Sequence, residues 1–175
     1  MCIRDSKIIE KDSDINRIEL DRADKAILAA LAQDARMSIT DLAVRIGLSK
    51  SPTQARLRRL ETQGVIQGYR ALLDPIRLGL DHVAFVEVRL TETRKAALEA
   101  FNAAVRAVPQ VEQAHMIAGR YDYLLKVRTR NMADYRYVLG EVISNLPYVD
   151  ATSTFVAMEA VKEVMLPDVS ANGLT

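Results

Sequence analysis

The sequence predicts an α+β protein in two parts: three short helices first, then a β-α-β-β-α-β unit. Two patterns predict it. Apolar residues recur at helical spacing from Leu20 to Leu60, punctuated by Ser, Gly and Pro. After Asp81 alternating runs such as "HVAFVEVRL" take over, separated by two more helical stretches. The 175 residues are 49% hydrophobic and 27% charged, enough for two small cores and not the composition of a mostly disordered chain. No apolar run approaches the roughly 18 residues that span a bilayer, so no membrane association is expected. Cys2, His82 and His115 show no metal-ligand spacing, and one cysteine excludes an internal disulfide framework, which makes a reducing cytoplasm the expected compartment.

Residues 1–19 are polar and aperiodic, and are expected to form a disordered leader. Its "MCIRDS" resembles a translated sequencing-adapter remnant, so the leader is read as partly non-native. The first helix is carried by Leu20, Ala23, Ile27, Leu28 and Leu31, with Asp21 or Asp24 favouring its start. "SITD" places Ser38 three residues before Asp41, a capping pattern for a second helix through Leu42, Ala43 and Ile46 that Gly47 ends. Ser49 or Ser51 can cap the third helix, and Pro52 stands in its first turn, where the missing N–H costs nothing. Leu48, Leu57 and Leu60 face inward, and Gly64 closes the helix. "VIQGYRALLD" then reads as two short extended segments around Gly68.

In the second part, Ala84, Val86, Val88 and Leu90 occupy one face of the first strand. Val83, Phe85, Glu87 and Arg89 occupy the other. A helix over 94–108, with Leu98, Phe101, Val105 and Val108 inward, stops at Pro109. "VEQAHMIA" and "YLLKVRT" are strands around the turn "GRYD". A second helix over 131–146 turns Met132, Tyr135, Leu139, Val142, Ile143 and Leu146 inward and stops at Pro147, and "ATSTFVAMEAV" is the last strand. This order is the ferredoxin-like unit. Its outer sheet face is apolar enough to call for a second subunit. His115, mid-strand, is read as a hydrogen-bonded structural histidine and His82 as ordinary.

Three helices with a tight "GLS" turn before the third make a helix-turn-helix, and the segments around Gly68 suit a wing. Positive charge falls in the same place. Residues 36–70 hold seven Lys or Arg against two acids, although the whole chain is only +1. Such a block points to a polyanion, with a solvated helix face as the plain alternative. The third helix offers Ser49, Lys50, Ser51, Thr53 and Gln54 at its start, with Arg56, Arg58 and Arg59 following. Lys50 and Gln54 are read as base contacts and the three arginines as phosphate contacts on double-stranded DNA.

The stretches "LDRADKAILAALAQDARMSITDLAVRIGLS" and "ARLRRLETQGVIQGYRALLDP" closely resemble the DNA-binding half of the Lrp/AsnC transcriptional regulators. "AHMIAGRYDYLLKVRTRNMADYRYVLGEVISNLPYV" and "TSTFVAMEAVK" are similar to their ligand-binding half. The resemblance covers residues 20 to about 164 and leans toward the leucine-responsive and proline-utilisation branches. It implies a winged helix-turn-helix over 20–73, a linker over 74–81 with its hinge at Asp74-Pro75 to Gly79, a ferredoxin-like domain over 82–166 and a tail over 167–175. It implies a homodimer joined through the sheets, commonly assembled to an octamer, and an amino-acid effector between dimers, leucine or proline, with no other cofactor. The implied effector residues are Gly119, Arg120, Tyr121, Asp122, Tyr123, Met132, Thr152 and Thr154, with Phe155, Val156 and Ala157 nearby. Asp122 suits an α-ammonium group. The expected protein is a cytoplasmic, nucleoid-associated regulator and not an enzyme. The alternatives are a nucleoid-type architectural protein and a sirohaem-decarboxylase-like enzyme on the same fold.

Overall fold

The computed structural model describes residues 18–163, and the chain divides into two units between Ala71 and Leu72. The expected tail, Cys2 and all but the end of the expected leader lie outside the described residues.

The first unit starts from a reciprocal cap. The Asp21 carboxylate accepts the Asp24 N–H at 2.9 Å, and Asp24 accepts the Asp21 N–H at 3.1 Å. This pair fixes the start of α1 (Arg22–Gln33). Ser38 accepts from the Asp41 N–H at 3.1 Å and opens α2 (Ile39–Ile46). Gly47 ends α2 with φ of 71°, a left-handed turn that glycine enters without the Cβ penalty. The Leu48 N–H returns to the Ala43 carbonyl at 3.0 Å, and α3 (Lys50–Thr62) follows at once. Ile27, Ala30, Leu42 and Leu60 form the buried centre, and Leu20, Leu28, Leu31, Met37, Ile46 and Leu57 pack around it.

Beyond α3 the two expected extended segments do not form a strand ladder. The Val65 and Ile66 N–H groups both turn back to the Leu60 carbonyl, at 3.0 and 3.1 Å, instead of reaching a cross-strand partner. An isolated two-stranded ribbon is marginal in water, and here the preceding helix takes its first donors. Tyr69 ties the segment to α3 by donating to Glu61 at 2.9 Å. Burial and that carboxylate push the Tyr69 phenol up to about 12.

The second unit contains β1 (His82–Leu90), α4 (Lys95–Arg106), β2 (Val111–Met116), β3 (Tyr123–Thr129), α5 (Met132–Tyr137) and β4 (Val149–Val156). The sheet order is β2-β3-β1-β4, and every neighbouring pair is antiparallel. β1 is central, with Val86 opposite Leu125 on one side and Thr154 on the other. Its Ala84, Val86, Val88 and Leu90 enter one core with Phe101 and Val105 of α4, Leu125 and Val127 of β3, and Tyr135 of α5. The opposite face carries Phe85 in register with Phe155, both exposed. Beside them lies an ionic cluster of Lys126, Arg128, Glu112 and Glu163. Burial pushes the Glu112 carboxyl up, but Arg128 and Lys126 outweigh it and hold the group below its ordinary value.

The second helix departs from the regular α-helix expected over 131–146. After α5 the backbone widens into one π turn (Val138–Val142) and tightens into a 3₁₀ turn (Ile143–Asn145). Gly140 sits in the wide turn. The side chains of Ser144 and Asn145 donate to the Leu139, Gly140 and Glu141 carbonyls at 2.8 to 3.2 Å. The wider repeat lets Val138 and Ile143, five residues apart, both reach the core. Met132, expected inward, is exposed, and Val138 takes the buried place. β4 begins at Val149 and ends at Val156, earlier than expected at both ends. Tyr148, just before it, has φ of 64°, a strained value for a bulky residue.

Nothing lies within 4 Å of a Cβ built on Gly47, so Gly47→Ala tests backbone strain alone. It should destabilise the helical unit by about 1 kcal/mol, read as roughly fivefold faster hydrogen exchange of its slowest amides.

Candidate functional site

The α3 helix presents two different faces. Thr53, Leu57 and Leu60 point inward. Thr53 is fully buried, and its hydroxyl donates to the Ser49 carbonyl at 2.9 Å. The expectation that Thr53 touches DNA is therefore corrected, because its three-residue spacing from Arg56 and four-residue spacing from Leu57 turn it into the core. Ser49 holds the N-cap position without a side-chain capping bond. Ser49, Lys50, Ser51 and Arg58 are exposed, and Gln54 is half-buried at the margin. Ala55, which the sequence reading passes over, is also exposed. Its place one turn after Ser51 and three residues before Arg58 is the signal that could have found it. Neither Lys50 nor Arg58 forms a salt bridge among the described residues.

Arg56 and Arg59 behave otherwise. Arg56 pairs with Asp21 at 2.5 Å and with Asp24 at 3.0 Å, and Arg59 pairs with the other oxygen of Asp24. Asp24 is fully buried. The hydrogen bonds that Arg56 donates to Asp21 and then to Asp24 hold its guanidinium above its ordinary value. The Asp24 N–H and then Arg56 hold the Asp21 carboxyl below its own.

In the second unit the turn between β2 and β3 holds Gly119 and Arg120, both exposed, and Tyr121 and Asp122, both half-buried. The Arg120 guanidinium lies 5.6 Å from the centre of the Tyr121 ring. Asp122 anchors the turn by three bonds. Its N–H donates to the Val88 carbonyl at 3.0 Å, and its carbonyl accepts the Ile117 N–H at 2.9 Å. Its Oδ2 accepts the Leu90 N–H at 2.8 Å, beside the register shift where β1 and β4 lose step. One carboxylate oxygen is thus committed to backbone.

The remaining expected effector residues scatter. Tyr123 is 2% exposed and packs on Phe101 with ring centres 4.4 Å apart, so it is a core residue of this protomer and not a surface contact. Thr152 and Thr154 stand opposite Val88 and Val86, on the helix side of the sheet. Thr154 shares a 2.5 Å hydrogen bond with the Tyr135 hydroxyl. Met132 follows the far end of β3 from the turn, so one protomer does not bring it beside Asp122. The histidines exchange their expected roles. His115 is exposed on the edge strand β2, whereas His82 bonds Thr129 through Nδ1 at 2.9 Å and lies against Tyr135. Its Nε2 is buried with no partner among the described residues.

Residues 20–67 match the family model for a winged helix-turn-helix DNA-binding domain. Residues 83–167 match that of the Lrp/AsnC ligand binding domain. The chain is 57% identical over 148 residues to the proline dehydrogenase transcriptional activator of Rhodobacter capsulatus, covering 85% of this chain and 96% of that protein. It is 46% identical over 145 residues to the leucine-responsive regulatory protein of Salmonella typhimurium, covering 83% and 88%. A transcriptional regulator of Neisseria meningitidis, solved in complex with L-Met, has a TM-score of 0.78 at 31% identity, covering 85% of this chain and 97% of that one.

Asp122→Ala should leave the part-buried Leu90 N–H without an acceptor and cost about 1–3 kcal/mol. Asp122→Asn, which keeps an acceptor oxygen, should lose less. Urea unfolding of the two variants beside the parent protein measures both.

Proposed function

The chain belongs to the Lrp/AsnC family of DNA-binding transcriptional regulators, and from that premise we propose that it controls genes of amino-acid metabolism in response to a small amino acid. Residues 20–73 are the DNA-reading module, 74–81 the linker and 82–166 the effector and assembly module. The observation that carries the DNA half is the outer face of α3, where Lys50, Ser51 and Arg58 stand exposed with Gln54 at their margin. Gln54 suits an adenine edge, and Lys50 a guanine edge or a phosphate. Arg58 suits a phosphate. Two such helices in a dimer would enter successive major grooves about one helical turn apart.

The Phe85–Phe155 patch supports a sheet-to-sheet homodimer, since a second copy would cover both rings. The effector lies at a seam between dimers of a larger assembly, an octamer by resemblance, where the turn of Gly119, Arg120, Tyr121 and Asp122 meets residues of another protomer. Met132, beyond the far end of β3, comes to such a site only across protomers. The effector acts by binding one assembly more tightly than another. Proline is the first candidate and leucine the second, because identity to the proline dehydrogenase activator exceeds that to the leucine-responsive protein. The protein acts in the cytoplasm on the nucleoid and carries out no chemistry of its own. No helix among the described residues is long and apolar enough to cross a membrane.

The test is fluorescence anisotropy on a labelled duplex from upstream of the proline dehydrogenase gene of the same genome, at two salt concentrations, with proline, leucine or neither. Tight, salt-sensitive binding altered by proline supports the reading. Binding indifferent to every amino acid would favour the architectural alternative. Arg58→Ala should lower the salt slope by about one, and Gln54→Ala should cost about 1–3 kcal/mol on the preferred sequence and less on others.

A further inference from the structure

We propose that Asp21 and Asp24 clamp the reading helix to α1, and that Arg56 and Arg59 are positioning residues held in that clamp rather than phosphate contacts. The inference rests on α3 being the helix that reads DNA.

The clamp is built from a cap. Asp21 and Asp24 already satisfy each other's N–H groups at the start of α1, and each has acceptor capacity left over. Asp24 is buried completely, and a buried carboxylate without compensating partners is costly. Beyond the Asp21 N–H, its compensation comes from one helix only. Arg56 takes Oδ1, and Arg59, one turn later, takes Oδ2. Arg56 also holds Asp21, so two carboxylates and two guanidinium groups form one closed network.

This network does what the apolar core of the unit does not. Contacts among Ile27, Leu42 and Leu60 are non-directional and tolerate some rotation of α3 about its axis. Hydrogen bonds from two arginines to opposite oxygens of one fixed carboxylate are directional. Turning α3 by one residue, about 100°, would break both. The clamp therefore fixes which side chains face outward, namely Lys50, Ser51, Ala55 and Arg58. It also lowers the charge that α3 presents. Four cations lie on the helix, and two of them are neutralised by their own domain.

The two roles predict opposite signs. If Arg56 and Arg59 were phosphate ligands, weakening their carboxylate partners would free them and tighten DNA binding. If they are positioning residues, the same change weakens binding. The probe is a duplex that the unaltered protein selects from a random-sequence pool, titrated by anisotropy over a series of salt concentrations. Asp24→Asn should weaken binding tenfold or more despite adding positive charge. Asp21→Asn keeps the helix cap, because Asn accepts the same N–H, and so remains folded if Asp24→Asn does not. It should weaken binding a few-fold. Arg56→Ala and Arg59→Ala should weaken binding with no change in salt slope, whereas Arg58→Ala, the internal standard, lowers the slope by about 0.9. Tighter binding by Asp21→Asn, or a slope loss in Arg59→Ala equal to that of Arg58→Ala, overturns the clamp. If the unaltered protein selects no duplex, the DNA-reading role of α3 falls first and the clamp falls with it.

Discussion

The second unit hangs on the need to satisfy every backbone group of β1. This strand is paired on both edges, by β3 and β4, so none of its N–H or C=O groups can be left to water along most of its length. The ladder to β4 breaks step between Arg89 and Leu90. On the opposite edge β3 begins only at Tyr123, so the Leu90 N–H has no ladder partner there, and the Asp122 carboxylate accepts it. The turn from Gly119 to Asp122 is therefore fixed by an obligation of the central strand. A loop at the end of a two-layer fold would otherwise be free to vary. Here its exposed residues inherit the rigidity of the sheet.

The first unit solves a similar problem with charge. A small three-helix core has few apolar groups to give it a unique arrangement, and its helices must still present one face outward. The acidic residues that begin α1 serve two helices at once. In both units a carboxylate completes the backbone bonding of its neighbourhood: Asp24 at a helix start, Asp122 at a strand end. Both therefore join a local secondary-structure element to a distant one, and each stands next to a surface proposed to bind a ligand.

The fold was legible because its signals are local. Alternation in β1, the stop at Pro109, the Ser38 cap and the Gly47 terminus all depend on residues within a few positions of each other. What stayed hidden is long-range. Arg56 and Arg59 read as free cations because Asp21 and Asp24 lie more than thirty positions earlier. Thr53 reads as a DNA contact and Tyr123 as an effector contact, but helix phase and strand parity place both in cores. His82 and His115 exchanged roles because sheet order decides which strand is central, and β2 proved to be an edge. The expected effector residues scatter for a further reason: the site proposed for them would be shared among copies, and such a site leaves no single-chain constellation to find.

The wide turn at Val138–Val142 has a consequence for how this chain tolerates change. A π turn accommodates one residue more than an α-helical path between the same two ends. The helix over 132–145 thus carries a spare residue, stored where the Ser144 and Asn145 side chains cover the displaced carbonyls. Loss of one residue at Gly140 would draw the backbone back to a regular helix and keep the elements on either side in place. The same loss within β1 would swap its inner and outer faces. Length variation in this domain is therefore expected to gather at the wide turn, which acts as a reservoir for single-residue gaps and leaves the sheet register untouched.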